Sequence, residues 1–328
     1  MVEEDVKPIS GEQNGNGGDN DSVSYHSPEN YPVGSIARAE AQWSHREFVS
    51  GVEPDYVMIN IIHARQLMKR GETLATYFGD NVETIITTTV SDEKLNLITW
   101  EDELEIVKAV EPDYHIPTDY SIYSSFPKQQ QIDCLIACME GTRWMYEQLE
   151  GTDITIIPLI KGKTPEQRQV SYDLMAELGI NYCAFYASRY FTGKYGNRIS
   201  DLVADVEKVA AEFNPDIMLI GLLSPNYISK FPSNVVAVAG QKQWRIRAKP
   251  REQTEDEMRI EWRDLTWNVE QALTYNPYTE TRETMEEYLE RRNNRYGIQE
   301  STVEETVDEK AVEESKDKVR ITERSYDV

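Results

Sequence analysis

The chain has 328 residues, 39% of them hydrophobic, enough for one large domain or two ordinary ones. Its 58 Asp and Glu against 34 Lys and Arg give a formal net charge of −24. That charge repels nucleic acid and anionic membranes at long range, and it matches a protein adapted to high salt, where screening weakens the repulsion. No run of about 18 apolar residues exists to cross a membrane, and the acidic start does not read as a secretory signal. Three cysteines, Cys134, Cys138 and Cys183, make no disulfide framework and suit a reducing, cytoplasmic interior.

In chain order, residues 1–34 are rich in Gly, Asn, Asp and Ser and are expected to be a disordered arm. "YVMINIIH" (56–63) reads as a buried strand, and "ARQLMKRGETLATYF" after it as a short helical stretch. "ETIITTTV" (83–90) is β-branched and strand-like. "WEDELEIVKAV" (100–110) is a helix with acids in its first turn, where the dipole favours them. A short strand at 113–119 then leads to a helix across "KQQQIDCLIACMEGTRWMYEQLEG".

"DITIIPLI" (153–160) is the next strand, and Thr164, Pro165 and Glu166 mark the start of a helix that Gly179 ends. "INYCAFYA" (180–187) is a strand. Ile199, Leu202, Val203, Val206, Val209 and Ala210 follow the helical period across 198–213. Strands at 216–223 and 234–240 complete the series. Residues 254–298 read as two helices joined at Asn276-Pro277, packed on the core formed by 35–253, and 299–328 as a charged flexible tail.

About seven continuous apolar strands separated by helices imply an α/β fold with a parallel sheet. An eighth strand, needed for a closed (β/α)8 TIM barrel, would fall at 95–99, "LNLIT". Periodicity leaves the closed barrel and an open doubly wound sheet both standing.

In either fold, ligands meet the carboxyl ends of the strands. That rule picks out His63 and Arg65; Asp119 with Tyr120 and Tyr123; Lys161, Gly162 and Lys163; Tyr186, Ser188 and Arg189; Ser224, Pro225 and Asn226; and Gln241, Lys242 and Trp244. Asp119 either caps the turn after Pro117 or accepts hydrogen bonds from the edge of a purine-like base. His115, inside its strand, reads as a packed imidazole. Arg189, Lys194 and Arg198 occupy the loop that contains "YFTGKYGN", whose aromatics suit base stacking or a lid. "GQKQWRIRAKPR" (240–251) is a basic strip in an acidic chain; if extended, it sets Arg245 and Arg247 on one side, as contacts for phosphate. No dinucleotide fingerprint, P-loop, zinc motif or Ser-His-acid arrangement occurs, so neither metal nor cofactor is expected.

The middle of the chain resembles the tRNA-guanine transglycosylase superfamily, including the viral branch that places 7-deazaguanine bases in DNA. "PTDYSIY" resembles the family's strand ending in Asp and Tyr, with Asp119 matching the base-reading residue. "IIPLIKGKT" resembles the strand that ends in Gln-Gly, with Lys161 in the glutamine's place and Gly162 retained. "CAFYA" puts Tyr186 and Ala187 where the family has paired glycines, and "LIGLLSP" fits through Gly221 and Pro225.

The resemblance, spanning about 110 to 245, implies a TIM barrel with an irregular N-terminal part. It implies exchange of a nucleobase on DNA or tRNA, with a free purine-like base as second substrate. The family's nucleophilic acid is missing between Asn234 and Trp244, where Gln241 stands, and Asp92 is the nearest substitute for its early acid. Asp92 and Asp119 are therefore the expected catalytic pair. Tyr120, Tyr123, Lys161, Gly162, Tyr186, Arg189, Gly221, Gln241, Lys242, Arg245 and Arg247 are the expected substrate contacts. The alternative is a catalytically degenerate barrel that binds nucleic acid as a homodimer or beside an active paralogue. The place of action would be the cytoplasm, that of a host if the chain is viral.

Overall fold

A computed structural model describes residues 31–191, 196–276 and 281–282. All of these belong to one unit, Met1–Met285; the second unit, Glu286–Val328, lies outside the described residues. So do the expected arm up to residue 30, Lys194, and the expected second C-terminal helix and tail.

Strands and helices alternate: β1 Gly34–Ala39, α1 Trp43–Val52, β2 Tyr56–Asn60, α2 Ile61–Met68, α3 Leu74–Phe78, β3 Glu83–Thr87, α4 Asp92–Leu95, α5 Trp100–Val110, β4 Tyr114–Ile116 and α6 Lys128–Gln148. The second half runs β5 Thr155–Ile156, β6 Leu159–Ile160, α7 Pro165–Glu177, β7 Tyr182–Tyr186, α8 Ile199–Phe213, β8 Asp216–Ile220, α9 Pro225–Ile228, β9 Val235–Gly240, α10 Lys242–Ala248 and α11 Glu255–Leu273. A two-residue antiparallel pair, β10 Tyr275–Asn276 with β11 Thr281–Arg282, stands at the expected joint after α11. No described helix is long and apolar enough to cross a membrane.

The nine main strands form one all-parallel sheet in the order β5-β4-β3-β2-β1-β9-β8-β7-β6. Every residue of β8 and β9 is buried, as a sheet covered on both faces requires. The sheet is TIM-like, but its hydrogen-bond ladder is not continuous. Its two edges, β5 and β6, are adjoining pieces of a single run broken at Ile157-Pro158. Ile157 N donates to His115 O on one side at 2.9 Å, and Pro158 O accepts from Ala184 N on the other at 2.8 Å.

Curling follows from side chains that bridge distant strands. Tyr31 stacks on Tyr182 of β7 at 4.6 Å between ring centroids and lies 6.4 Å from Tyr114 of β4. Those strands are six places apart in the order, roughly 29 Å in a flat sheet at ~4.8 Å per strand. The sheet must therefore wrap round to bring them to one ring.

Several expectations need correction. The extra strand is not 95–99: Asp92–Leu95 is helical and Thr99 caps α5 through a capping box with Asp102. It is β1, whose small-residue sequence "GSIARA" lacks the bulky run that marks the others. The strand expected over 56–63 stops at Asn60, because the Asn60 side chain accepts from Ile62 N and His63 N and starts α2 there. His63 thus sits on a helix. Thr164 caps α7 as the sequence implies, again with a capping box, to Gln167.

Candidate active site

Asp119 is aimed by its neighbours. Thr118, just beyond β4, has φ 49°, a left-handed conformation that a β-branched residue adopts only under outside constraint. The constraint comes from three elements. Glu103 of α5 accepts from Thr118 N at 3.0 Å and from His115 Nε2 at 2.8 Å, which makes His115 the internally bonded imidazole expected. Cys138 of α6 donates to Thr118 O at 2.8 Å; buried completely, its thiol is pushed up to about 12. Thr88, beyond β3, accepts from Asp119 N at 3.0 Å.

Asp119 caps no helix, since α6 begins at Lys128 behind Pro127. Its side chain, 12% exposed, pairs with Lys161 Nζ, which also donates to Tyr120 O. Lys161 stands at the end of β6, so this pair ties together the outlets of β4 and of the broken strand.

Around the pair lies a cavity of about 150 Å³, lined by Asp92, Asp119, Tyr120, Ser121, Ile122, Tyr123, Ile160, Lys161, Phe185, Tyr186 and Arg189. An enclosed space of roughly that size admits one six-membered aromatic ring; this one opens to solvent, so a larger ring system would enter it by one edge. Asp92 is fixed by a hydrogen bond from Ser121 Oγ. Arg189 donates to Tyr190 Oη at 3.1 Å, and its guanidinium lies over the Phe185 and Tyr190 rings. A smaller recess of about 20 Å³ continues past Tyr123 to Gly162 and Lys163.

The structure therefore brings together Asp92, Asp119, Tyr120, Tyr123, Lys161, Tyr186 and Arg189, with Gly162 in the adjoining recess. It does not bring the others to this cavity. Gly162, at φ +118°, lets the chain pass tightly over the first turn of α7, where a Cβ would meet Gln167. Gly221, at φ +98°, packs on Ser188, whose hydroxyl occupies the place of a Cβ. Gln241 Nε2 donates to Glu40 Oε1 at 2.9 Å. Lys242, Arg245 and Arg247 lie on the same edge of the sheet but in α10, exposed. In a helix, positions two apart point about 200° from each other, so Arg245 and Arg247 do not share the side that an extended segment would give them.

Sequence reasoning missed Arg38 of β1 and Glu40 just past its end. Arg38 donates to Thr89 O at 3.2 Å, and its guanidinium lies near the Tyr186 side chain. Thr89 follows β3 and Tyr186 ends β7, five places apart in the sheet order, about 24 Å if flat. One guanidinium lies near both, so it stands inside the curl, though it is not among the residues that line the cavity. Glu40, next on the same edge, accepts from Gln241 and from Gln42 Nε2, and His45 Nδ1 accepts from Glu40 N. Burial drives the His45 imidazole down to about 4 despite the opposing pull of Glu40. The missing signal was the strand itself: both residues fall in the expected core, 35–253, but with no strand read over 34–39 nothing set them at a strand end.

The fold and cavity together define a parallel TIM-like α/β protein with a polar, ring-sized site at the carboxyl edge of its sheet. No protein-family model matches this sequence, and no curated protein matches it significantly. The transglycosylase resemblance rests on the order and spacing of its motifs.

Proposed function

We propose that the sheet is a (β/α)8 barrel in which β5 and β6 count as one strand, and that its cleft exchanges a 7-deazaguanine-type base on DNA or tRNA in the cytoplasm. The observation that carries this reading is the meeting of two carboxylates, Asp92 and Asp119, on one ring-sized cavity at the strand ends. Asp119 takes the N–H edge of the base, and Tyr120, Tyr123 and Tyr186 supply apolar faces around it.

Asp92 is the available nucleophile. Its carboxylate attacks C1′ of the target nucleotide, the N-glycosidic bond breaks, and the departing base leaves with the bonding electrons and takes a proton. The incoming base loses a proton as it displaces the carboxylate, so the exchange is balanced and needs no oxidant or reductant. A target in duplex DNA must first leave the stack. The basic residues of α10 sit on the same edge, suited to phosphates.

A second reading, binding without exchange alongside an active paralogue, draws on the ion pair that neutralises Asp119 and on the lack of an acid over 234–244. Incubation with DNA or tRNA and radiolabelled 7-deazaguanine separates the two. Label entering the polymer, and lost in Asp92→Asn, supports exchange. Base bound without transfer supports the second reading, and absence of both removes each.

A further inference from the structure

Past Tyr123 the cavity continues into the recess of about 20 Å³, which has room for about one oxygen-sized group and opens to solvent. The two spaces share Ile122, Tyr123, Lys161 and Arg189, so one ligand can occupy both. Their charges differ. Asp92 and Asp119 line the cavity, whereas the described residues lining the recess include Lys161, Lys163 and Arg189 and no carboxylate. A chain of net charge −24 repels anions as a whole, so this recess is the reverse of its surroundings.

The loop that carries the two lysines is fixed through its backbone. Lys163 N donates to Gln167 Oε1 at 2.8 Å, and Lys163 O accepts from Arg168 Nη1 at 3.0 Å. Arg168 is 2% exposed and paired with Glu212, and Gln167 Nε2 donates in turn to Gln131 Oε1 at 2.9 Å. Those bonds engage the backbone and the amides but not the Lys163 ammonium, which is exposed and pairs with no described carboxylate. Each ammonium carries three N–H donors. Lys161 directs two of them to Asp119 and Tyr120 O, and one remains.

We infer that the recess is a phosphate subsite: the cleft takes a purine-type ring still joined to its sugar phosphate, with the ring edge on Asp119 and a phosphate oxygen between Lys161 and Lys163. The ring's place rests on the reading given under the proposed function, and the anion's place rests on the recess alone. Charge-assisted bonds from ammonium groups suit a phosphate, and the open mouth leaves its other oxygens in water. What the recess selects is therefore the target nucleotide and not the incoming free base.

Calorimetry on the full chain at fixed ionic strength tests this with guanosine, guanosine 5′-monophosphate and a guanosine-containing dinucleoside monophosphate. A phosphate-bearing probe binds the native chain about tenfold or more tighter than guanosine. In Lys163→Gln that preference falls below about threefold while guanosine binds as before. This variant changes an exposed side chain and keeps the fold. A gain for the monoester alone assigns a free nucleotide, and a gain for the diester assigns a residue of a polymer. Equal affinity for guanosine and both phosphates overturns the subsite, as does a preference that Lys163→Gln leaves intact. If no guanosine compound binds, ribose 5-phosphate decides: binding that depends on Lys163 keeps the anion subsite while the base reading fails, and no binding removes the subsite as well.

Discussion

The two ends of the curled sheet are made by the same strands, yet they are opposites in chemistry. At the amino end, Tyr56, Tyr114 and Tyr182 open β2, β4 and β7; Tyr31 packs on Tyr182 and Tyr114, and Tyr56 meets Tyr114 edge-on. Tyr31 donates to Ile156 O at 3.1 Å, Tyr114 to Glu83 Oε2 at 2.7 Å and Tyr182 to Pro32 O at 2.6 Å. Burial, in Tyr114 aided by Glu83, raises the Tyr31 and Tyr114 pKa values well above normal, so these hydroxyls stay neutral donors. This end is a plug. At the carboxyl end, Asp92, Asp119, Lys161 and Arg189 gather around a cavity, with Arg38 and Glu40 on the same edge, and the turns there include the left-handed ones at Thr118 and Gly221. The difference shows where the fold spends its stability: one end is closed by aromatic burial, and the other keeps charges and constrained backbone where a ligand can reach them.

Substitutions at the two ends should therefore separate activity from stability. The largest expected effect is at the open end: Asp92→Asn lowers label transfer by about a thousandfold or more while the melting temperature stays close to native. An equal loss of stability would sink the nucleophile assignment. At the plugged end, Tyr182→Ala removes a fully buried ring and costs about 3–5 kcal/mol, read by denaturant unfolding. Ligand affinity of the folded fraction should not move, and a large change in it would show that the ends are coupled.

The next effect is one of pH. His45 is 2% exposed, and its folded pKa is driven from 6.5 to about 4 by burial, with Arg245 and Arg251 pushing the same way against Glu40. Between those values the unfolded chain binds a proton that the fold refuses, so stability falls as pH drops through the window, by up to about 3 kcal/mol. His45→Asn should flatten that part of the stability profile; an unchanged slope would place the titrating group elsewhere. The smallest effect is expected on the exposed helix α10. Arg247→Ala should leave stability within about 0.5 kcal/mol of native and reduce the salt slope of DNA binding by about one. An unaltered slope removes Arg247 from the phosphate contacts.

Much of the architecture could be read before any coordinates. β3, β7, β8 and β9 are dense in β-branched and apolar residues, and α5, α7 and α8 carry their caps or period openly. β1 escaped because Gly, Ser and Ala dominate it and its register comes from neighbours on both sides, β2 and β9. The tripeptide Pro-Asp-Tyr at 54–56 and again at 112–114 marks two strand starts and the plug at once, a signal visible in the sequence and overlooked. The extended reading of 240–251 failed for a different reason. Alternating basic residues resemble a strand, yet Trp244 and Ala248, four apart, are the buried pair, which is a helical spacing.

By itself the sequence determined the alternation of elements, the parallel sheet, and the rule that Asp119, Tyr120, Lys161, Tyr186 and Arg189 stand at strand ends, because these depend on local periodicity, caps and turns. Only the tertiary structure decided which strand ends face one another. Asp92 and Asp119, beyond the neighbouring strands β3 and β4, share a cavity with Lys161, Phe185 and Tyr186 of β6 and β7 because the sheet curls until distant strands meet around one space, while Gln241 turns to Glu40 because β9 pairs with β1. Curling is set by twist and packing summed over the whole sheet, and no short window of residues encodes that sum.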